Sequence, residues 1–511
     1  MKTSNLLRLL AILFCSSILL LFLASLTMVW TTSNCTNFLA SSRYFTPVSI
    51  EHVVFGIAST GKTWPKQKEF LQLWWKPDKM EGCVFVDALP PNPSNSSVDT
   101  TLPPICVSQD TSHFRYTYKH GYRSLIRVAR VVSETVNLDY PDAKWYVFGD
   151  GDTVFFPDNL VKTLSKYDHE LWYYVGANSE IYEQNAVNSF EMAFWGAGFA
   201  VSAPLAKVLA RVFDSCLERY PHLYGGDGRV YACLAELGVG LTHEPGFHQV
   251  RFGFHVYRLP LVLKCDSFIS FLQVMYTSSL WYEYPLHFWN EHFSRTQMDI
   301  RGNIFGLLAA HPLAPLISLP RLSEVDPIFP EKTTINALQH LFESVSMDSE
   351  RILQQTVCYD RWFSWTVSVS WGYAVEVFDH HIYLSDILRR QDTFSPWKKG
   401  SEVRYSFSTR PLHPDPCRRS TIFFFDRIYA RKMKIISNYR RMIPDNCTFD
   451  PMGSPKKLQE IIVYSQKSSL GMNQLKAPRR QCCDVLPSSV GQKLELQIRE
   501  CGEDELIRIH A

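Results

Sequence analysis

The chain has 511 residues, more than one hydrophobic core accommodates, so two or three folded units are expected. Hydrophobic residues make up 46% and charged residues 20%, a composition that buries large cores and excludes a chain that is disordered throughout. Lysine and arginine number 52 against 50 acidic residues, so the basic excess that nucleic-acid binding requires is missing.

The N-terminus carries a membrane-targeting signal. After Lys2 and Arg8, residues 9–30 contain no charged side chain and are numerous enough to cross a bilayer. The preceding basic residues place 1–8 in the cytosol and the body in the lumen, a type II topology, with a cleavable signal peptide as the alternative. A lumenal body agrees with 13 cysteines, several of which can pair there, and with three glycosylation sequons, at Asn34, Asn95 and Asn446.

Beyond a polar stem, 31–48, strand and helix patterns alternate. The predicted elements, in chain order, are strand Val53–Ala58, helix Lys66–Trp75, strand Cys83–Asp87, helix Tyr122–Val136, strand Trp145–Phe148, strand Ala193–Ser202, helix Leu205–Cys216 and helix Val230–Leu237. This alternation predicts an α/β domain over 49–330, with a mostly parallel sheet and helices on both faces. From about Pro330 the pattern changes, and Trp362–Val377 alternates as antiparallel strands do, so 331–511 is predicted to be a β-rich domain.

The strongest chemical signal lies where the strand beginning at Trp145 ends. Asp150 and Asp152 follow its apolar run, and in extended chain that spacing directs both side chains to one side. Carboxylates suit Mg²⁺ or Mn²⁺, and a cation at the carboxyl edge of a parallel sheet can neutralise a departing diphosphate. A solvated Asp-Gly-Asp turn before a helix explains the same residues equally well.

Three further motifs have both a functional and a structural interpretation. Gly196-Ala197-Gly198 lets backbone approach a ligand closely, or serves packing. Asp227 precedes a helix, as a general base for an acceptor hydroxyl or as an N-cap. His248 is either a third metal ligand or a structural histidine.

The order of these motifs resembles that of the fringe and β-1,3-glycosyltransferase group, glycosyltransferase family 31, and most closely its plant fringe-related branch. The resemblance runs from about Val53 to the C-terminus and includes the stretches Trp172–Gly176, Cys216–Pro221, Gly238–Thr242 and Gln481–Asp484.

That resemblance implies a Golgi enzyme of GT-A fold that transfers sugar from a UDP-sugar to a glycan or glycoprotein acceptor, with inversion and a β-1,3 linkage. It assigns Asp227 as the base. Sugar-nucleotide contacts are implied for Asp110, Asp150, Asp152, Gly196, Ala197 and Gly198, and ligation of Mn²⁺ or Mg²⁺ for Asp150, Asp152 and His248.

Three departures from the family pattern stand out. Gly151 occupies the middle of the usual three-acid cluster, and Trp195 stands where glycine is usual, so its ring is expected to crowd the donor pocket. Residues 250–297 separate Gln249 from Met298, which the pattern joins, and 12 of these 48 residues are aromatic. We interpret them as translated intron or a gene-model error, with a genuine inserted loop as the alternative.

Two other functions compete. Gly56–Thr63 fits the phosphate-binding pattern of nucleoside triphosphatases and kinases, although Pro65 falls in the first turn of the required helix. A catalytically impaired lumenal binding or scaffold protein of the same fold is the other alternative, which Trp195 and the insertion favour.

Overall fold

The structure is a computed structural model that describes residues 18–21, 47–90, 100–119, 121–249, 300–396, 404–443, 447–450, 452–487 and 491–507. Most of the predicted span 9–30, the stem up to residue 46, the asparagines of all three sequons and the segment 250–297 lie outside these ranges. Within them, no helix has the length and apolar character needed to cross a membrane.

The described strands are β1 (Val53–Ala58), β2 (Glu81–Val86), β3 (Ile105–Val107), β4 (Trp145–Asp150), β5 (Val154–Phe155), β6 (Tyr174–Gly176), β7 (Phe199–Ser202), β8 (Leu241–His243), β9 (Ile300–Gly302), β10 (Ser318–Leu319), β11 (Gln355–Tyr359), β12 (Thr366–Ser370), β13 (Ala374–Phe378), β14 (Arg390–Gln391), β15 (Phe394–Pro396), β16 (Thr409–Arg410), β17 (Thr421–Arg431), β18 (Lys434–Arg440), β19 (Glu460–Gln466), β20 (Cys482–Val485) and β21 (Lys493–Arg499). The α-helices of the folded body are α1 (Trp64–Leu71), α2 (Ser124–Val136), α3 (Pro157–Leu164), α4 (Tyr182–Val187), α5 (Ala203–Arg219), α6 (Gly226–Glu236), α7 (Phe305–Ala309), α8 (Thr334–Met347), α9 (Leu384–Ile387) and α10 (Met472–Lys476).

The first sheet has seven strands in the order β3-β2-β1-β4-β7-β6-β8. Strands β3, β2, β1 and β4 run parallel to one another and β6 runs parallel to β8, whereas β7 is antiparallel to both β4 and β6. Along β1, Val53, Phe55 and Ile57 enter one hydrophobic core, while Val54 and Ala58 enter another. Because successive strand residues face opposite sides, the sheet is covered on both faces. The predicted mostly parallel α/β sheet is confirmed.

One predicted strand is shorter than expected. The glycine-punctuated segment Ala193–Ser202 forms a strand only over Phe199–Ser202. Gly198 has a φ of +78°, a left-handed conformation that interrupts extended chain. The preceding residues therefore form a separate turn, and they contribute to the candidate site described below.

The second sheet has eight strands in the order β11-β12-β13-β17-β18-β19-β21-β20. Its neighbours are antiparallel except for β19 and β21. The predicted C-terminal β-rich region is thus confirmed, with β12 and all but the last residue of β13 inside the expected Trp362–Val377 pattern. One hydrophobic core extends from Val53 to Ile498, and Val48–Ala511 forms a single compact unit. The boundary predicted near Pro330 separates two sheets but not two independent cores.

All ten described cysteines are paired, as expected for an oxidising compartment. The disulfides join Cys83 to Cys106, Cys216 to Cys233, Cys358 to Cys483, Cys417 to Cys447 and Cys482 to Cys501. The first two link neighbouring elements of the α/β half, and the other three fasten the C-terminal sheet.

Candidate functional site

The carboxyl edge of the first sheet collects the predicted acidic residues. Strands β1 to β4 are parallel, so their carboxyl ends meet at one edge. In register, Ala58 of β1 lies beside Asp150 of β4. The loop after β3 carries Asp110. Ligands of open α/β sheets bind at this edge, so it is the natural place for a site.

Asp150 and Asp152, which we call the acidic pair, meet an arginine that the sequence did not reveal. Nη2 of Arg321 donates to Oδ2 of Asp150 at 2.8 Å, and both side chains are mostly buried. The backbone N–H of Arg321 donates to the carbonyl oxygen of Asp152 at 3.3 Å. The cation at the acidic pair in this structure is therefore a guanidinium.

The carboxyl group of Asp152 is unusual among the acids of the site. Its Oδ1 is buried and has no hydrogen-bond partner in the structure. Burial raises the pKa of Asp152 to about 6, against the attraction of Arg321 and together with repulsion by Asp150. A buried carboxyl oxygen without a donor lowers the free energy of unfolding, because its desolvation is not compensated. Such an atom in a native structure calls for an explanation, and a functional role is one.

The departure at Gly151 has a local cause. A Cβ at this position would lie 2.6 Å from Oε1 of Gln67, a side chain of α1 that also accepts from the hydroxyl of Ser59 at 2.7 Å. An acid between the two aspartates would have to displace that glutamine. Glycine therefore fits the packing of the β4 loop against α1.

The turn Trp195–Gly198, which we call the strap, connects the acidic pair to Asp227. Oγ1 of Thr153 accepts from the backbone N–H of Asp150 at 3.0 Å and donates to the carbonyl of Gly196 at 2.9 Å. In the adjacent residue of the strap, the N–H of Trp195 donates to Oδ1 of Asp227 at 3.1 Å. One four-residue segment of backbone thus bonds to both parts of the predicted site.

The strap is fixed by one close approach and two hydrogen bonds. A Cβ on Gly198 would lie 2.6 Å from Cζ of Phe155, so that position requires glycine in space as well as in backbone conformation. The N–H of Ala197 donates to Oε1 of Gln249 at 2.8 Å. The hydroxyl of Ser318 donates to the carbonyl of Ala197.

Trp195 places its side chain in a hydrophobic core beside the strap. Its side chain is buried in a hydrophobic core, where the ring packs against Phe148 and Phe199 at centroid distances of 6.0 and 5.3 Å. The strap therefore directs this ring into the core and only its backbone toward Asp227, and crowding of the donor stays a prediction.

Asp227 lies in the first turn of α6 but is not the N-cap. That helix begins at Gly226, and its N-cap is Gly225. The Asp227 side chain is buried and turns toward the strap. Arg229 holds the loop before the helix by donating to the carbonyls of Leu223 and Gly225. The geometry is compatible with a general base at Asp227.

His248 is committed to a different partner. Its Nδ1 lies 2.7 Å from Oε1 of Glu180, and its ring meets that of His311 at a centroid distance of 4.8 Å. Burial lowers the pKa of His311 well below its usual value, so that ring is neutral. Nε2 of His248 is buried without a hydrogen-bond partner in the structure.

The three predicted metal ligands are not gathered together. In the part of the chain that the structure describes, no group of three or more His, Cys, Asp or Glu side chains is arranged to hold a metal ion. Asp150 is paired with Arg321, and His248 with Glu180. The predicted Asp150, Asp152 and His248 set therefore does not form a coordination sphere here.

Asp110 lies in an exposed loop and bonds within it. Its carboxylate accepts from both the N–H and the hydroxyl of Ser112. These hydrogen bonds lower the pKa of Asp110. The residue is at the predicted edge of the sheet, and the structure links it to its own loop rather than to the acidic pair.

The loop that fits the phosphate-binding pattern is already occupied. The N–H of Gly61 donates to Oδ1 of Asp87 at 2.8 Å, and the guanidinium of Arg127 donates to the carbonyl of Ser59 at 2.7 Å. Helix α1 begins at Trp64 with Pro65 in its first turn. A carboxylate thus takes the N–H that a phosphate would need.

A cavity of about 460 Å³ lies away from these residues. Its lining includes Tyr167, Glu244, Arg351 and Arg480, and none of the predicted site residues. Lys166 pairs with Glu244, and Arg351 with Asp348, so much of its charge is internally compensated. The cavity does not identify a reaction, and the acidic pair with the strap remains the better candidate site.

Comparison with known proteins identifies a family but no activity. A family model described as "Protein of unknown function, DUF604" matches residues 184–274 and 291–483, more than half of the chain. The gap between the two matched stretches falls inside 250–297. No match is found among curated proteins.

The chain is also similar to two crystal structures of LgtC. One is an active-site mutant, with 12% identity over 37% of this chain and 71% of that chain, at a TM-score of 0.25. The other is the galactosyltransferase LgtC in complex with donor and acceptor sugar analogs, with 13% identity over 37% of this chain and 72% of that chain, at the same TM-score of 0.25. Similarity at this TM-score does not show a shared function.

Proposed function

We propose that this chain, which belongs to the DUF604 family, is a glycosyltransferase that uses a UDP-sugar. The family description itself names no activity. The observation that carries the proposal is the strap, whose adjacent residues Trp195 and Gly196 bond to Asp227 and to Thr153 of the loop after β4. A donor held beside the acidic pair and an acceptor deprotonated by Asp227 would meet across this segment.

The reaction we propose is a single displacement with inversion. The acceptor hydroxyl oxygen attacks the anomeric carbon, the bond from that carbon to the diphosphate oxygen breaks, and the bonding electrons leave with UDP. Asp227 takes the acceptor proton. The buried Oδ1 of Asp152 is available as an acceptor for a hydroxyl of the bound donor. No second nucleophilic carboxylate is needed for inversion.

Mn²⁺ or Mg²⁺ at Asp150, Asp152 and His248 stays a prediction, and the described residues do not fit it well. Asp152 Oδ1 and His248 Nε2 are buried atoms of the kind a cation uses, but the ligands are not gathered and Asp150 already bonds to Arg321. The proposed displacement therefore includes no step that uses a metal ion.

We further propose that the folded body resides in the Golgi lumen, anchored by residues 9–30. Five disulfides support an oxidising compartment, since such bonds are rare in the cytosol. The β-1,3 linkage, the identity of the sugar and the glycan or glycoprotein acceptor belong to the same proposal and rest on the family resemblance.

A second candidate function is a non-catalytic binding protein of the same fold. The arginine at the acidic pair favours it, because Arg321 occupies a carboxylate that family 31 enzymes are expected to use. Measurement of UDP release from UDP-sugars separates the two functions.

The test is release of UDP from a panel of UDP-sugars by the full-length protein, with and without Mn²⁺. We expect turnover with at least one donor, and a loss of about 10²- to 10⁴-fold in Asp227→Asn. The asparagine keeps an oxygen acceptor for the Trp195 N–H, so its melting temperature should stay close to that of the wild type. UDP binding without turnover for any donor would instead favour the binding protein, and neither binding nor turnover would refute both.

A further inference from the structure

Arg321 reaches the acidic pair through strand pairing. Strand β10 pairs antiparallel with β5, with Ser318 opposite Phe155 and Leu319 opposite Val154. Continuing this register two residues past Leu319 and two residues before Val154 places Arg321 opposite Asp152. Its backbone N–H bonds to the Asp152 carbonyl at 3.3 Å. The placement of this side chain is therefore part of the fold.

The backbone of Arg321 supports the same interpretation. Its φ is 49° and its ψ is 39°, a left-handed conformation that residues with a Cβ seldom adopt. Such conformations persist where surrounding structure enforces them, and they cluster at functional sites. A glycine would meet the backbone requirement more easily, so the contacts of the Arg321 side chain must offset the cost of this conformation.

Burial and charge distinguish the Arg321–Asp150 pair from an ordinary surface ion pair. The Arg321 and Asp150 side chains are only 21% and 18% exposed, and their atoms are 2.8 Å apart. A guanidinium and a divalent cation at the same carboxylate repel each other, so Arg321 weakens metal binding at Asp150. The guanidinium itself is a good partner for a diphosphate, since its planar fork matches phosphate oxygens.

We propose that Arg321 is the resident cation of this site: it holds the acidic pair in the free protein and binds the diphosphate of the sugar nucleotide, so that UDP binding needs no divalent metal. This inference rests on the proposed function. In the displacement written above, the negative charge that develops on the leaving diphosphate is stabilised by the guanidinium, and no further group is consumed.

The experiment is calorimetric titration of UDP into the full-length protein, in EDTA and in millimolar Mn²⁺. For the wild type we expect the same affinity within about twofold in both buffers. Arg321→Gln should weaken binding about 10- to 100-fold in EDTA, the range for losing one charge-assisted hydrogen bond. Mn²⁺ should restore part of that loss in the variant, because Asp150 is then open to the metal.

Two further variants separate charge from folding. Arg321→Lys keeps the positive charge and should bind UDP more tightly than Arg321→Gln at a similar melting temperature. Arg418→Gln removes an exposed arginine, 76% accessible and paired with Asp415 at 3.9 Å, and should bind UDP as the wild type does.

The outcomes are distinguishable. If wild-type UDP binding disappears in EDTA and returns with Mn²⁺, or if Arg321→Gln binds as tightly as the wild type, this inference is overturned while the proposed glycosyltransferase stands. If UDP binds in neither buffer, the proposed function fails and the inference fails with it.

Discussion

Two arginines in this molecule each lie among carboxyl groups, and the two clusters differ in how completely their oxygens are bonded. Near the C-terminus, Arg499 donates to both oxygens of Asp484 at 2.6 and 3.0 Å and to both oxygens of Glu505 at 2.7 Å. All three side chains are about one-third to one-half exposed. This set, which we call the C-terminal arginine cluster, has every carboxylate oxygen satisfied.

The acidic pair is the opposite case. Arg321 bonds to Asp150, but Oδ1 of Asp152 is buried without a partner. The pKa values diverge accordingly: the hydrogen bond from Arg499 lowers the pKa of Glu505 to about 2, and burial raises that of Asp152 to about 6. A cluster whose carboxylate oxygens are all hydrogen-bonded, which we call saturated, stabilises the structure. A buried carboxyl oxygen without a partner can still form a hydrogen bond to a ligand.

The sharpest test of that contrast is Asp152→Asn. The substitution keeps one oxygen acceptor but removes the negative charge of the carboxylate that we assign to a hydroxyl of the sugar donor, so UDP-sugar turnover should fall about 10- to 100-fold. The same change removes a poorly solvated carboxylate, so the free energy of unfolding at neutral pH should rise rather than fall. Steady-state UDP release and urea denaturation measure the two effects. A variant that is less stable and fully active would contradict both.

Only part of this contrast could be predicted from sequence. The apolar run ending at Asp150 identified the strand and its carboxyl edge, because both depend on local pattern and on parallel pairing. Asp227 was likewise marked by its position at the start of a helix. The alternation in 331–511 predicted the second sheet, although not the core that it shares with the first.

Arg321 could not be predicted because its position depends on long-range pairing. It is 169 residues from Asp152 and arrives through β5 and β10, which are two residues long and have no periodicity to detect. Glu180 as the partner of His248 and Gln249 as the partner of the strap are also set by tertiary contacts. The one available signal was chemical: two neighbouring carboxyl groups at a sheet edge attract a cation, but the sequence does not identify that cation.

The raised pKa of Asp152 makes the stability of the protein depend on pH. The pKa of Asp152 rises from 3.8 to about 6 on folding, so the folded state holds this proton more tightly than the unfolded state. Its contribution to stability is therefore full below about pH 4 and is lost as the pH rises through about 6, by up to about 3 kcal/mol.

Urea denaturation of wild type and Asp152→Asn between pH 4 and 8, in EDTA, isolates this contribution. The wild type should lose stability relative to the variant mainly between about pH 4 and 6, with a constant difference above about pH 7. Glu505 should act in the reverse sense, with its contribution present above its usual pKa and lost as the pH falls toward 2. A stability difference that does not change with pH would show that Asp152 is not the group that titrates.

The smallest expected effect belongs to the saturated cluster, and it completes the comparison. Asp484→Asn removes one carboxylate from Arg499, but Glu505 stays bonded to the same guanidinium. Because the pair is exposed and screened by solvent, the free energy of unfolding should fall by less than about 1 kcal/mol. UDP-sugar turnover should match the wild type, since this cluster belongs to the second sheet and contains none of the candidate site residues. If Asp484→Asn reduced turnover as much as Asp152→Asn, bonding saturation would not separate structural carboxylates from functional ones in this protein, and the assignment of the acidic pair would lose its main physical support.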